Sequence, residues 1–250
     1  MFQFFLDEPV AFGDTVRIVG DDAHHISRVL RLKTNDRIRV SASDGGSFIC
    51  EITDFGDGFV LCDAVETSEN TELAARIRLF QAIPKGERFD TIVEKCVELG
   101  VHEIIPVKMK YCVAKWDGKK VASKVKRYNA IAYAAAKQSK RSIVPEVREP
   151  VGLTDACAYA QGLGGTLLIP YENKEGMASN SAAFEAVASF GDISIFIGPE
   201  GGFAEEEIKL LSEQKNAHTI SLGRRILRTD TAAITSVAQV MMRLEMMDNE

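Results

Sequence analysis

Hydrophobic and polar positions change period near residue 73, and the change divides the chain. Before it, Thr15-Val16-Arg17-Ile18-Val19 and Arg37-Ile38-Arg39-Val40 alternate as half-buried strands do. Asp44-Gly45-Gly46 is a hairpin turn into Ser47-Phe48-Ile49-Cys50-Glu51-Ile52, and Asp57-Gly58 is a second before Phe59-Val60-Leu61-Cys62. One short helix is predicted among them, N-capped by Asp21 or Asp22, with Ile26, Val29 and Leu30 on one face. Such a run over residues 1–70 predicts a small β-barrel.

Thr67-Ser68-Glu69-Asn70-Thr71-Glu72 is a polar link, beyond which strands alternate with helices as in a parallel α/β domain. Arg78-Leu79-Phe80-Gln81-Ala82-Ile83 is the first strand, and Pro84-Lys85-Gly86 ends it. Phe89, Ile92, Val93, Cys96, Val97 and Leu99 then recur at helical spacing up to Gly100, a suitable residue just past a helix end. Glu103-Ile104-Ile105-Pro106-Val107 is the next strand, and residues 119–138 predict a long basic helix with Tyr128 and Ala135 on its inner side. Three later apolar runs, 165–172, 193–197 and 219–222, predict strands. Residues 204–215 predict a helix with Glu205, Glu206 and Glu207 at the positive end of its dipole. The last helix runs from Asp230 or Thr231 to about Met247. Its stripe of Ile234, Val237 and Met241, extended by Met242, Leu244 and Met246, predicts a dimer face, because a terminal helix cannot bury every side on its own sheet.

Composition adds little. The 250 residues are 46% hydrophobic and 26% charged, an ordinary globular balance. No apolar run approaches a membrane span and the first eight residues lack a basic n-region, so a cytoplasmic location is expected. Five scattered cysteines form no C-x-x-C pair and four histidines have no ligand spacing, so no metal is expected. Charge matters more. The net charge is −6, yet residues 1–72 hold 6 Lys and Arg against 14 Asp and Glu, while residues 108–148 hold 12 against 2. That basic excess reads either as a phosphate-binding face or as a solvated helix face.

Candidate chemistry gathers in two loops at expected strand ends, where open α/β sheets bind ligands. Gly198-Pro199-Glu200-Gly201-Gly202-Phe203 lets backbone approach a ligand closely, and Pro199 stiffens it. Gly223-Arg224-Arg225-Ile226-Leu227-Arg228-Thr229-Asp230-Thr231-Ala232-Ala233 sets apolar residues among three arginines, which a solvated turn does not need. A carboxylate in one loop, with cations and apolar residues in the other, suits a polar ligand that has a flat apolar part.

These paired motifs, and nearly the whole chain, resemble the SPOUT (trefoil-knotted) RNA methyltransferases, in the branch that methylates N3 of a uridine in 16S, small-subunit, ribosomal RNA. The family usually has Glu where this chain has Asp230, a shorter carboxylate. The resemblance implies an α/β fold class: a C-terminal trefoil-knotted parallel α/β domain, residues 73–250, after a PUA-like RNA-binding barrel, residues 1–70. It also implies a homodimer acting on ribosomal RNA or the small ribosomal subunit. The implied cofactor, S-adenosylmethionine, would be held by Ile169, Pro170, Tyr171 and Glu172, by Gly198, Pro199, Glu200, Gly201 and Gly202, and by Ile220, Leu222, Gly223, Ile226, Leu227 and Thr231. Glu200 would hold ribose hydroxyls or lie near the sulfonium. Arg228, then Arg225, are the candidates to stabilise the anion developing at uridine N3, and Asp230 is either a base or a helix N-cap. RNA contact is expected of His24, Arg28, Arg31, Lys85, Arg88, Gln138 and Arg141. For the histidines a place on the barrel rim stays open, and for Gln138-Ser139-Lys140-Arg141 a charged helix end. Two rival functions also stay open: a knotted ribose 2′-O-methyltransferase and a non-enzymatic RNA-binding assembly factor.

Overall fold

A computed structural model describes residues 1–116, 118–171, 180–187 and 191–248. The chain forms two compact units, Met1–Glu72 with Ala136–Val144, and Leu73–Ala135 with Pro145–Glu250.

The first unit holds β1 (Gln3–Phe5), β2 (Thr15–Val19), β3 (Arg37–Ser41), β4 (Ser47–Gly56) and β5 (Phe59–Thr67), in the order β1-β3-β4-β5-β2. Only β1–β3 is parallel among these pairs. Alternation works as expected in β2, where Val16 and Ile18 are buried while Thr15, Arg17 and Val19 face out, but not in β3, where Arg39 is buried along with Ile38 and Val40. Phe4, Ile18, Ile26, Ile38, Ile52 and Val60 belong to the core. The expected helix differs in its ends. It begins as α1 (Gly20–His24), with Asp21 and Asp22 inside the first turn instead of capping it. It then widens into a π-helical turn, His25–Val29, in which the Leu30 amide reaches back to the His25 carbonyl at 2.9 Å. The extra residue rotates Val29 out to 59% exposure, away from the buried face expected for it.

The second unit is built on a parallel sheet. Its strands are β6 (Ile77–Ala82), β7 (Val101–Lys108), β8 (Glu146–Val147), β9 (Val151–Gly152), β10 (Thr166–Pro170), β11 (Ile193–Ile197) and β12 (Ala217–Ile220). They lie in the order β12-β10-β11-β6-β7-β8, with β9 also on β7, and every pair is parallel. The helices are α2 (Arg88–Glu98), α3 (Lys119–Ser139), α4 (Leu153–Leu163), α5 (Asn180–Val187), α6 (Glu205–Ser212) and α7 (Thr229–Asp248), and the last turn of α3 belongs to the first unit. Strands β6 and β11 are buried throughout, the reason they read as near-continuous apolar runs. Phe80 and Phe196 stack across them with centroids 4.3 Å apart. From edge strand β12 the chain doubles back to Thr229, whose Oγ1 donates to the Gly198 carbonyl at 2.8 Å just past β11. Because α7 starts at Thr229, Asp230 lies within its first turn and is not its N-cap. Among the described residues no helix is long and apolar enough to cross a membrane.

Candidate functional site

The C-terminal ends of β10, β11 and β12 bring three segments of the second unit together. They enclose a cavity of about 600 Å³ and an adjoining one of about 150 Å³, which share Pro170, Tyr171, Ile226, Leu227 and Ala232 as walls. The larger adds residues 197–203, Arg88, Arg228 and Thr229. The smaller adds Ser221, Leu222, Gly223 and Arg225. Their combined size suits a small-molecule ligand.

Local chemistry fixes each wall. Gly202 has φ +75°, which side-chain-bearing residues adopt only with strain. The Tyr171 amide donates to the Ile220 carbonyl at 3.0 Å, clamping the ends of β10 and β12 together. Buried Asn180 brackets the second loop: its Nδ2 donates to the Ser221 carbonyl at 2.8 Å and its Oδ1 accepts the Ser221 amide at 2.9 Å. A polar relay runs out from the middle of the sheet. Gln81 of β6 is fully buried, and its Nε2 donates to Thr229 Oγ1 at 2.9 Å, which donates onward to the Gly198 carbonyl. The relay pins the glycine loop to the first turn of α7.

The charges are unevenly satisfied. Glu200 Oε1 accepts the Lys85 amide at 3.0 Å and Arg88 Nη1 at 2.6 Å. Burial pushes the Glu200 carboxyl up, but the Lys85 and Glu200 amides together with Arg88 outweigh burial and hold it below its ordinary value. Arg225 and Arg228 are exposed and have no ion pair among the described residues. Between them Ile226 is 87% exposed, an apolar surface left uncovered in the chain itself.

Of the remaining expected cofactor residues, Ile169 and Ile220 are buried behind the strand ends, and Thr231 is exposed but on neither cavity wall. Glu172 lies outside the described residues. His24, Arg28, Arg31, Lys85 and Gln138 are exposed. Arg88, expected to face RNA, instead lines the larger cavity on Glu200. Arg141 is buried, with its Nη2 2.5 Å from Glu72 Oε2, while Glu72 Oε1 accepts the Ser142 amide at 2.8 Å. Its charge is therefore built into the first unit and is not offered to a phosphate. Phe203, Ser221, Thr229 and Ala232 also line the walls; Phe203, Thr229 and Ala232 stand in the two loop motifs but were not expected to hold the cofactor, and Ser221 lies outside both motifs. Thr229 and Ala232 are three apart, which puts both on one helix face. For Gln81 the signal was a lone amide inside an apolar strand.

A family model described as an RNA methyltransferase domain matches residues 71–241, and an RNA methyltransferase PUA domain matches residues 18–65. The ribosomal RNA small subunit methyltransferase E of Bacillus subtilis is 32% identical over 254 residues, covering 99% of this chain and 98% of that protein. Among solved structures, a ribosomal RNA small subunit methyltransferase E of Neisseria gonorrhoeae bound to S-adenosyl methionine has a TM-score of 0.82 at 27% identity, covering 97% of each chain. A Legionella pneumophila protein described as a methyltransferase, in complex with the cofactor SAM, has a TM-score of 0.79 at 29% identity, covering 96% of this chain and 97% of that one.

Proposed function

The chain belongs to the RNA methyltransferase family, and from that premise we propose that it transfers a methyl group from S-adenosylmethionine to N3 of a uridine in 16S ribosomal RNA. The observation that carries the reading is the hollow shared by the glycine loop, the arginine loop and the end of β10. The residues fit the cofactor. Pro170, Tyr171, Ile226 and Leu227 offer apolar walls to an adenine ring, and the backbone of residues 198–202 and 220–223 offers amides and carbonyls to its edge. When bound, S-adenosylmethionine supplies a methyl group already activated on sulfur, so positioning is the main task left to the protein. We assign the Glu200 carboxylate, kept charged by Arg88 and the Lys85 amide, to ribose hydroxyls.

Uridine N3 carries a proton in the neutral base and is a weak nucleophile until that proton leaves. Arg228, a cation on the cavity wall, stabilises the anion that develops there, with Arg225 as the second cation. The base must be unpaired, because N3 lies on its Watson–Crick edge. In this reading the first unit binds RNA through His24, Arg28 and Arg31, with Lys85 and Gln138 adding contacts, and Arg141 acts indirectly by ordering residues 72 and 142. The protein works in the cytoplasm as a homodimer, through the exposed Met242 and Met246 of α7.

Primer extension on ribosomal RNA from cells lacking the protein tests the proposal. A methyl on N3 blocks pairing and stops the polymerase, so one stop should vanish. Nucleoside mass spectrometry of RNA methylated in vitro then separates base from ribose, and a 2′-O-methyl product would overturn the reading.

A further inference from the structure

Beside the cavity, the turn at residues 109–112 exposes an aromatic ring that the reaction so far leaves without a task. Tyr111 is 46% exposed, yet the residues on either side of it, Lys110 and Cys112, are held by hydrogen bonds. The Cys112 amide donates to the Met109 carbonyl at 3.1 Å, and the Met109 amide donates to Cys112 Sγ at 3.4 Å. Beneath the turn, buried Glu207 accepts the Lys110 amide on Oε1 at 2.7 Å and the Ala204 amide on Oε2 at 2.9 Å. One carboxylate thus ties the turn to the residue that follows the glycine loop. Gly201 completes the seat: a Cβ there would come within 3.1 Å of Tyr111 Cβ and 3.6 Å of its Cγ. Gly201 is also a wall residue of the larger cavity. A buried carboxylate and an absent side chain both back a tyrosine whose ring is left open to solvent.

We propose that Tyr111 is a stacking platform for an unpaired RNA base at the site of methylation, an inference that rests on the reading of RNA as substrate. Lys110 Nζ lies 5.8 Å from the ring centroid, although it is shared with Glu206 at 2.6 Å, and Lys108 and Lys115 are exposed on the same segment, which gives it positive charge for phosphates. Val113, two residues further on, is 69% exposed. Cations interleaved with an exposed aromatic are what single-stranded nucleic acid binds, because every base has a face to stack. Preorganisation is the reason for the rigid seat, since a ring already ordered loses less freedom when a base lands on it.

Tyr111→Ala and Tyr111→Phe test the platform with three readouts: affinity for a short labelled oligouridine, KM and kcat on small-subunit ribosomal RNA, and S-adenosylmethionine affinity by calorimetry. The alanine variant should weaken oligouridine binding and raise the RNA KM by roughly five- to a hundredfold, the range for losing one base–aromatic stack. The phenylalanine variant should stay near wild type, and cofactor affinity should not move in either. Wild-type RNA affinity in Tyr111→Ala would overturn the proposal. A parallel fall in cofactor affinity would do the same, by making the ring a prop for the glycine loop, and a phenylalanine variant as weak as alanine would assign the contact to the hydroxyl. Oligouridine binding is read without methyl transfer, so a protein that binds through Tyr111 but transfers nothing would sink only the proposed function.

Discussion

Arg228 and Glu200 share one cavity wall on opposite electrostatic terms: the arginine has no carboxylate among the described residues, and the glutamate is held by a cation and an amide. Arg228→Ala should therefore leave cofactor affinity intact and lower methyl transfer by about 10²–10³-fold, the scale for removing one preorganised group that faces developing charge. Calorimetry and single-turnover transfer measure the two quantities, and near-normal turnover would remove Arg228 from the chemistry. Glu200 makes a pH prediction. Its folded value is depressed, so its stabilising contribution is present above the ordinary value of 4.5 and is lost as pH falls through the lower folded value. An NMR titration should place the carboxyl midpoint below 4.5, and Arg88→Leu should move it upward because burial then meets less opposition. A midpoint indifferent to Arg88 would argue against the pair. Thr229 joins the same wall by its hydroxyl. Thr229→Val leaves the buried Gln81 amide and the Gly198 carbonyl without that partner, a loss of about 1–3 kcal/mol in urea unfolding, whereas Thr229→Ser keeps both bonds.

At the scale of elements, what the sequence discloses follows from how local its cause is. Strands β6 and β11 were legible because burial on both faces leaves an apolar run, and the two loops because Gly and Pro act within their own turn. Strand β1 has only three residues, and its partner Arg39 lies far along the chain from Gln3, so no window of sequence reveals it. The basic run of α3 was legible as charge, but not its partners: Arg127 bonds Asp90, Lys124 sits 5.2 Å from the Trp116 ring, and Lys137 bonds Asp22 at 3.1 Å. Several of those cations are therefore structural. Glu207 and Gln81 stayed hidden for the same reason, since Glu207 meets Lys110 and Gln81 meets Thr229 only in the fold. Helix α7 carries the remaining expectation. Val237, Val240 and Leu244 are buried within the unit while Met242 is 57% and Met246 64% exposed, an apolar face without cover. Met242→Glu with Met246→Glu should shift sedimentation from dimer to monomer without lowering the cofactor affinity of the folded unit. A wild-type protein that sediments as a monomer at assay concentration would remove the dimer from the proposal.

For the molecule as a whole, the decisive fact is that every wall of the cavity, with the Gln81 relay behind it, comes from the parallel-sheet unit. A ligand that binds only the folded form stabilises what it touches by mass action, about 2.7 kcal/mol at a hundredfold excess over its Kd. Amides that exchange only when this unit unfolds should then slow by roughly a hundredfold, since about 1.4 kcal/mol is a factor of ten. Hydrogen exchange with saturating S-adenosylmethionine should show that slowing in β6, β10 and β11, with further protection local to residues 198–203 and 221–229. Strands β3, β4 and β5 have no residue on the cavity and should exchange at their unliganded rates. Single-stranded RNA should give a different pattern, slowing the π-helical turn that carries Arg28 and the turn that carries Tyr111. Equal slowing of β3 to β5 by the cofactor alone would contradict a site confined to one unit, and with it the division of labour between RNA capture and methyl transfer.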